Sequence, residues 1–314
     1  MAWPLIKILP SKTNFRFVSF ARLAATLSII AVIGSLVLCF KPGLNMGIDF
    51  RGGTILELTQ TGRAIDLAKA RDTTTRLNLG DVQVQAFGDG SAAEVRFQTP
   101  PGADPSQTVD RVKAALVAAL GPVKFTRTDL VGPKVSGELF RNGLMALGLA
   151  IGLMLIYIWF RFELQFGLGA VAALFHDVIL TFGLIAITRL EFSLTSIAAI
   201  LTIIGYSMND TVVVFDRLRE NLRKYKKMPL RDVIDLSINE TLSRTVITGL
   251  TALLALGGLA VFGGEALFGF SIALLFGITI GTYSSIYVAA PIILLWGVKR
   301  GDEPAPVKPM AQRP

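Results

Sequence analysis

One acidic residue interrupts the apolar stretch SLTSIAAILTIIGYSMNDTVVVF, residues 193–215, and its surroundings suit proton binding. A carboxylate at the depth of a bilayer costs about 3 kcal/mol, so it persists where it faces a protein interior, a partner charge or water. The small residues Gly205, Ser207 and Thr211 lie near Asp210 and favour close helix packing on that side. The pattern predicts that Asp210 points into a helix bundle, where it could bind and release a proton.

The next apolar run supplies a cation at a comparable depth. Arg244 lies where the polar segment INETLS leads into that run, and Asp210 lies roughly 9 Å inside the boundary marked by Asp216 and Arg217. Attraction to Arg244 would favour an ionised Asp210 carboxylate, whereas burial would favour a neutral one. If Asp210 binds a proton, its attraction to Arg244 is therefore lost. Alternatively, Arg244 extends to lipid phosphate while hydroxyl groups hold Asp210. Asn209, directly before Asp210, completes this candidate group.

A second polar pair, His176 and Asp177, lies near the middle of the apolar stretch ALFHDVILTFG. A histidine beside a carboxylate at bilayer depth could relay protons, because its charge changes near neutral pH. The two side chains could equally satisfy each other as a packing pair. The sequence leaves both interpretations open.

Several kinds of chemistry are excluded by residue counts. The only cysteine, Cys39, lies in an apolar segment, so no disulfide framework or cysteine-based metal motif is present. The only histidine rules out the HExxH metalloprotease pattern, and nothing matches the GxxxxGK[ST] nucleotide-binding loop. We therefore expect a protein that is not an enzyme, carries no cofactor or metal, and draws its energy from something other than nucleotide hydrolysis.

The composition is that of a membrane protein. The chain has 314 residues, of which 52% are hydrophobic and 17% charged, and its mean hydropathy is +0.57. Its net charge of +8 is concentrated beside the apolar segments, which indicates membrane orientation and not nucleic-acid binding. Runs of about 20 apolar residues, each long enough to cross a bilayer, are predicted at 22–40, 139–160, 166–188, 194–215, 244–262 and 269–296.

Orientation follows from the distribution of lysine and arginine. These residues are frequent in the leader 1–21, the connecting loop 216–243 and the tail 297–314, whereas the connection 189–193 has only Arg189. By the positive-inside rule the leader, the loop and the tail are cytoplasmic, and the first span 22–40 is an uncleaved anchor. The segment 41–138 then lies outside, and 139–296 forms a five-helix membrane region.

The outside segment is predicted to be a small α+β domain. TILELTQ alternates like a strand, AIDLAKARDTTTRL has helical spacing, VQVQAFG and AEVRFQ flank a turn, PSQTVDRVKAALVAAL is helical and VKFTRTDLVG is strand-like. This β-α-β-β-α-β order is the ferredoxin-like arrangement. The preceding motif GIDFRGG contains Asp49, and its glycines, Gly47, Gly52 and Gly53, suit a tight turn into the domain.

Four motifs together resemble the SecD/SecF family of protein-export membrane proteins, within the resistance-nodulation-division superfamily. They are GIDFRGG at 47–53, FHD at 175–177, GYSMNDTVVVFDRLREN at 205–221 and LSRT at 242–245. The resemblance covers nearly the whole chain. It implies that Asp210 is the family's intramembrane aspartate and Arg244 its essential arginine.

The resemblance also implies a biological setting. Superfamily members have twelve spans in two repeats, so a six-span chain is expected to pair with SecD in the bacterial inner membrane, among membrane lipids. The complex is expected to assist the SecYEG translocon, with YajC and YidC as accessory partners. It would use the proton-motive force to complete export of unfolded secretory polypeptides after SecA. Whether protons or sodium ions drive it stays open.

Two other functions compete with this one. The chain could be a passive scaffold of the translocon, in which the buried charges serve packing alone. It could also be half of a small-molecule efflux transporter, although its single small outside domain argues against that.

Overall fold

The computed structural model describes residues 13–60, 63–79, 82–87, 90–100 and 102–297. Its helices are α1 (Ala21–Leu38), α2 (Ile48–Arg51), α3 (Leu67–Thr75), α4 (Pro105–Leu120), α5 (Pro133–Arg161), α6 (Leu164–Thr188), α7 (Leu194–Lys224), α8 (Leu230–Phe262), α9 (Glu265–Ser284) and α10 (Ala290–Trp296). Its strands are β1 (Asn45–Met46), β2 (Gly53–Thr59), β3 (Gln83–Phe87), β4 (Ala92–Phe97), β5 (Lys124–Val131) and β6 (Glu191–Phe192). A 3-10 turn, Phe17–Phe20, precedes α1, and the wide π-type turn Ser285–Ala289 joins α9 to α10.

Six helical segments within the described residues are long and apolar enough to cross a membrane, which confirms the prediction of a six-span protein. They are Phe17–Gly43, Pro133–Arg161, Leu164–Thr188, Leu194–Lys224, Leu230–Phe262 and Leu267–Trp296. The third and fourth are the most enclosed by the rest of the chain, whereas the first, second and fifth are largely exposed. The buried residues His176 and Asp177 lie on the third span, and buried Asp210 lies on the fourth.

The segment 216–243, predicted as a loop, is mostly helical. Helix α7 runs on to Lys224 and α8 already begins at Leu230, so only residues 225–229 lack helical structure. The sequence is polar here, but buried Leu218 and Val233 show that one face of each extension is apolar. The loss of overall hydropathy marks where the membrane segment ends and not where the helix ends.

The α+β part has the element order expected from the sequence. Strands β2 to β5 form one antiparallel sheet in the order β3-β4-β2-β5, with α3 following β2 and α4 following β4. Apolar residues of the strands and both helices form one core, which includes Leu56, Val95, Phe97, Val112 and Leu116. Helix α4 is capped by Asp104, whose side chain accepts hydrogen bonds from the backbone of Ser106 and Gln107.

A two-stranded parallel sheet was not foreseen from the sequence. Strand β1 pairs with β6, although 144 residues separate Asn45 from Arg189, whose carbonyl accepts a hydrogen bond from the Asn45 side chain. The backbone N–H of Gly47 also donates to Phe192 O at 2.9 Å. The start of the GIDFRGG motif is thereby fixed to the segment that leads into α7.

The chain divides into two compact units. The first comprises residues 13–43, 150–188 and 198–297, and the second comprises residues 44–149 and 189–197. Helix α7 contributes its first residues, up to Ile197, to the second unit and the rest to the first. It therefore joins the two units covalently.

Candidate functional site

His176 and Asp177 lie on α6 and are almost fully buried, with 6% and 1% of their surface exposed. His176 Nδ1 is 2.8 Å from Asp177 Oδ1. The other carboxylate oxygen, Oδ2, accepts hydrogen bonds from Ser207 on α7 at 2.5 Å and from Ser284 on α9 at 2.7 Å. Both oxygens of Asp177 are therefore satisfied, and the carboxylate joins three membrane helices.

The imidazole extends this network to the first span. His176 Nε2 is 3.2 Å from the hydroxyl of Ser28, which is 2.9 Å from the Tyr283 hydroxyl. Tyr283 donates to the backbone carbonyl of Ala24 at 3.0 Å, and its ring stacks on the imidazole with 6.0 Å between centroids. A continuous chain of polar groups thus links α1, α6 and α9.

Asp210 lies on α7 with 9% of its surface exposed, and its two oxygens differ. Oδ1 accepts a 2.6 Å hydrogen bond from the hydroxyl of Thr245 on α8. Oδ2 is buried and accepts no hydrogen bond among the described residues, although the Ser285 hydroxyl, which bonds to Thr211 and to Gly281 O, lies close enough to interact with the carboxylate. The next residue, Thr211, is 2.9 Å from Ser285 through their hydroxyl groups. Asp210 is thus a buried acid with one free acceptor position, where a proton can be held.

Arg244 precedes Thr245 on α8, but its side chain is exposed. It lies within electrostatic range of Asp210. No ion pair joins the two among the residues that the structure describes. The isolated chain therefore shows Thr245, and not Arg244, in direct contact with the carboxylate.

The neighbours of Asp210 in the same motif face different ways. Ser207 and Thr211 are buried, whereas Asn209 and Gly205 are exposed. A methyl group added at Gly205 would meet no atom within 4 Å. Gly205 therefore makes no close helix contact with the described residues, and a packing role for its small size beside Asp210 stays a prediction.

Ion pairs hold the polar ends of α5, α7 and α8. Arg161 Nη2 lies 2.6 Å from Asp216, and Arg217 Nε lies 2.8 Å from Glu240. The Asn221 side chain donates to Glu240 at 2.7 Å. These exposed or partly exposed pairs connect the ends of the helices that precede and follow Asp210 in the chain.

The GIDFRGG motif holds the start of α7. Asp49 Oδ2 accepts a 2.9 Å hydrogen bond from the backbone N–H of Leu194, the first residue of that helix. Gly52 and Gly53 have φ angles of +71° and +127°, and a Cβ on Gly53 would lie 2.8 Å from Phe97 O. A Cβ on Gly47 would collide with the side chain of Glu191. The motif thus connects β6 and the start of α7 to the four-stranded sheet.

Several residues of the site were missed by sequence reasoning. Serine and threonine are common in membrane helices, and nothing local distinguishes a hydroxyl that serves a carboxylate from one that bonds to its own helix. The residues missed are Ser28, Thr245, Tyr283, Ser284 and Ser285.

No group of three or more histidine, cysteine, aspartate or glutamate residues in the described ranges could hold a metal ion.

Comparison with known proteins gives consistent matches. The family model "Protein export membrane protein SecD/SecF, C-terminal" matches residues 112–299, and the "SecD/SecF GG Motif" model matches residues 37–59, which include Gly52 and Gly53. The chain is 48% identical to the protein translocase subunit SecF of Rhodobacter capsulatus, over 95% of this chain and 93% of the relative. It is 43% identical to the SecF subunit of Rickettsia bellii, over 95% of this chain and 98% of the relative.

A solved structure is also similar. The crystal structure of SecDF, a translocon-associated membrane protein from Thermus thermophilus, superposes with a TM-score of 0.82 at 33% identity. The match covers 92% of this chain and 40% of the SecDF chain. A second SecDF structure, in a super-membrane-facing form, gives a TM-score of 0.67 at 34% identity.

Proposed function

We propose that this chain, which belongs to the SecD/SecF family of protein-export membrane proteins, uses the proton-motive force to complete the export of unfolded secretory polypeptides. It would do so without nucleotide hydrolysis and after the SecA motor has begun translocation. Its proposed setting is the bacterial inner membrane, with both termini in the cytoplasm and the α+β domain in the periplasm. The basic residues beside the spans support this orientation.

The observation that carries the proposal is the asymmetric environment of Asp210. One oxygen accepts a hydrogen bond from Thr245, and the other is buried and accepts none from the described residues. A neutral carboxyl group has a hydroxyl that can donate from the free oxygen, whereas an ionised one needs a cation or water there. Protonation therefore changes which groups Asp210 can bind.

The same residue is covalently connected to the domain through α7. The first turn of α7 belongs to the second unit, where Asp49 caps it, and Asp210 lies farther along the same helix in the first unit. A change in the packing of α7 against α8 on protonation would shift this helix and move the domain, which grips or releases the emerging polypeptide. The membrane potential supplies about 2.3 kcal/mol per proton per 100 mV, enough to bias such a two-state element.

Arg244 enters this mechanism through a partner subunit. Its side chain is exposed in the isolated chain and belongs to the apolar segment Leu230–Phe262, where an uncovered charge is unfavourable unless protein or water surrounds it. We propose that SecD covers this face of α8 and directs Arg244 towards the free oxygen of Asp210 in one state of the cycle. SecYEG, with YajC and YidC as accessory proteins, would complete the assembly.

His176 and Asp177 are proposed to position the helices and not to carry the driving proton. Both carboxylate oxygens of Asp177 already have partners, whereas Asp210 has a free acceptor. The pair would keep α1, α6 and α9 together, and movement of α7 relative to them would have to rearrange the hydrogen bond between Ser207 and Asp177.

The test is polypeptide export by vesicles that contain the chain, SecD and the translocon, with pH and sodium gradients imposed separately. Asp210→Asn should abolish stimulation by the pH gradient while leaving assembly intact. Glu220→Gln is the control, because it removes a more exposed carboxylate from the same helix, and its hydrogen-bonded partner Arg217 lies on that helix too. Full stimulation with Asp210→Asn would reject the proposal and favour a passive scaffold, and stimulation by sodium alone would reject the proton as coupling ion.

A further inference from the structure

A groove of about 790 Å³ runs between the first and last membrane spans of the first unit. Its walls are apolar and include Ala25, Ile29 and Ile33 on α1 and Pro291 and Leu295 on α10. Ile29, Ile33 and Leu295 are 59%, 56% and 81% exposed, so the described residues leave the groove open. The groove is separate from the site around Asp210, because neither Asp210 nor its hydrogen-bond donor Thr245 lines it.

One end of the groove is charged. Arg22 and Arg231 line it there, together with Ser19, whose hydroxyl accepts a 3.2 Å hydrogen bond from Arg231 Nη2. Within the described part of the chain no carboxylate pairs with Arg22. Asp235 lies within electrostatic range of Arg231, but its Oδ1 accepts a hydrogen bond from the backbone N–H of Val18. Two guanidinium groups therefore lie at the mouth of the groove, Arg22 without a carboxylate partner in the described ranges and Arg231 with Asp235 nearby.

The length of the apolar part suits one leaflet of a bilayer. From Arg22 to Ile33 the helix rises roughly 16 Å, about half of a hydrocarbon core of about 30 Å. An apolar wall of this length with guanidinium groups at one end matches the acyl chain and the headgroup of an anionic lipid.

We infer that this groove is a binding site for one anionic phospholipid, with its phosphate on Arg22 and Arg231 and an acyl chain between α1 and α10. Guanidinium groups bind phosphate oxygens in a bidentate manner, and basic pockets between membrane helices select acidic headgroups. The acyl chain would cover Ser28 and His176, which also line the groove. The lipid would thus shield the polar network of α6 from the bilayer.

The first experiment compares lipids of identical acyl chains by native mass spectrometry of the full chain. Dioleoyl phosphatidylglycerol should be retained over dioleoyl phosphatidylcholine, and each of Arg22→Gln and Arg231→Gln should reduce that preference roughly fivefold. Lys227→Gln is the control, because it removes an exposed charge outside the groove. Equal retention of the two lipids by the unmodified chain, or equal losses in all three variants, would overturn the inference.

The second experiment tests the apolar half of the site. Ala25→Trp fills the groove and should abolish retention of phosphatidylglycerol, whereas Leu27→Trp, on an exposed face outside the groove, should preserve it. Glycerol phosphate, which has the headgroup charge but no acyl chain, should not displace the lipid. Displacement by glycerol phosphate would reduce the site to a simple anion contact and contradict the proposal.

The third experiment locates the lipid. Phosphatidylglycerol with a photoactivatable acyl chain should label residues 25–33 and 291–295 in preference to the equally exposed surface of α8 around Leu254. Uniform labelling of both surfaces would show bulk lipid contact only. Loss of the labelling when the partner subunit is bound would show that a protein segment occupies the groove, and either result would overturn the inference.

Discussion

The hydroxyl of Thr245 donates a 2.6 Å hydrogen bond to Oδ1 of Asp210 and joins the fourth and fifth membrane spans. Asp210 Oδ2, the other oxygen of this carboxylate, is buried without a partner in the described chain. Thr245 is therefore the residue whose removal most directly tests whether α7 and α8 communicate through the carboxylate.

Replacing Thr245 with valine should reduce export that depends on a pH gradient. The substitution keeps the shape of the side chain but removes an interhelical hydrogen bond worth roughly 1 kcal/mol, about fivefold in an equilibrium between two packings. Thr245→Ser should retain most of the stimulation because it keeps the hydroxyl. Thr251→Val is the control, since Thr251 bonds only to carbonyls of its own helix. Equal stimulation in all four proteins would contradict a role for this contact.

The Asp177 network should contribute to stability independently of the gradient. Ser284→Ala removes one of the two hydroxyl groups bonded to Asp177 Oδ2 and should lower the free energy of unfolding by about 1 kcal/mol. Denaturation by sodium dodecyl sulfate in mixed micelles would measure this change. Thr279→Ala, which removes a hydroxyl bonded within its own helix, should have a smaller effect. A larger loss in Thr279→Ala than in Ser284→Ala would contradict the assignment.

The cap that Asp49 places on α7 should stabilise the first turn of that helix. Asp49→Ala should cost about 1 kcal/mol, because the backbone N–H of Leu194 loses its acceptor, whereas Asp49→Asn should cost less. Hydrogen exchange of the amides at residues 194–197 in the full chain measures this locally. Unchanged exchange in Asp49→Ala would show that the contact does not hold the helix end.

The α+β domain should lose stability as the pH rises through the acidic range. Burial raises the pKa of Glu94, and the nearby Glu191 and Glu57 raise it further, against a lowering by Arg96. The folded state therefore binds a proton more tightly than the unfolded chain. The stabilisation that the folded domain gains from this proton is complete below 4.5, the ordinary pKa of a glutamate, and is lost as the pH rises through the pKa of Glu94 in the folded state.

Glu94→Gln should remove this dependence and stabilise the domain on the high-pH side. Hydrogen exchange of the sheet amides, measured from about pH 4 to about pH 8 and corrected for intrinsic rates, gives the slope of the free energy of unfolding against pH. Glu138→Gln, an exposed glutamate of the same unit, should leave the slope in place. A slope that persists in Glu94→Gln would assign the pH dependence to another group.

The spans and the order of the α+β elements follow from the sequence because both depend on local patterns. Hydropathy locates membrane segments, and period-two alternation separates the strands from α3 and α4. For residues 216–243 the same criterion indicates only a connection between spans, because it registers the loss of apolar character after Phe215 and not the helical spacing that places Leu218 and Val233 in a buried face.

The details of the site depend on contacts between distant parts of the chain. Asp210 was identified from its position in an apolar run, and the structure places it at a helix interface. Asp210 contacts Thr245 because the packing of α7 against α8 decides which residue of α8 faces the carboxylate. The pairing of β1 with β6 and the contact of Asp177 with Ser284 likewise join segments more than 100 residues apart, for which one sequence has no signal.

The wide turn Ser285–Ala289 gives the sixth span an unusual pair of neighbours. Ser284 and Ser285 are both fully buried, and one bonds to Asp177 while the other bonds to Thr211 beside Asp210. Successive residues in an α-helix diverge by about 100°, so a one-residue migration of this turn would reorient both hydroxyl groups together. Twisting of a single helix would therefore reset the surroundings of both acids in one movement.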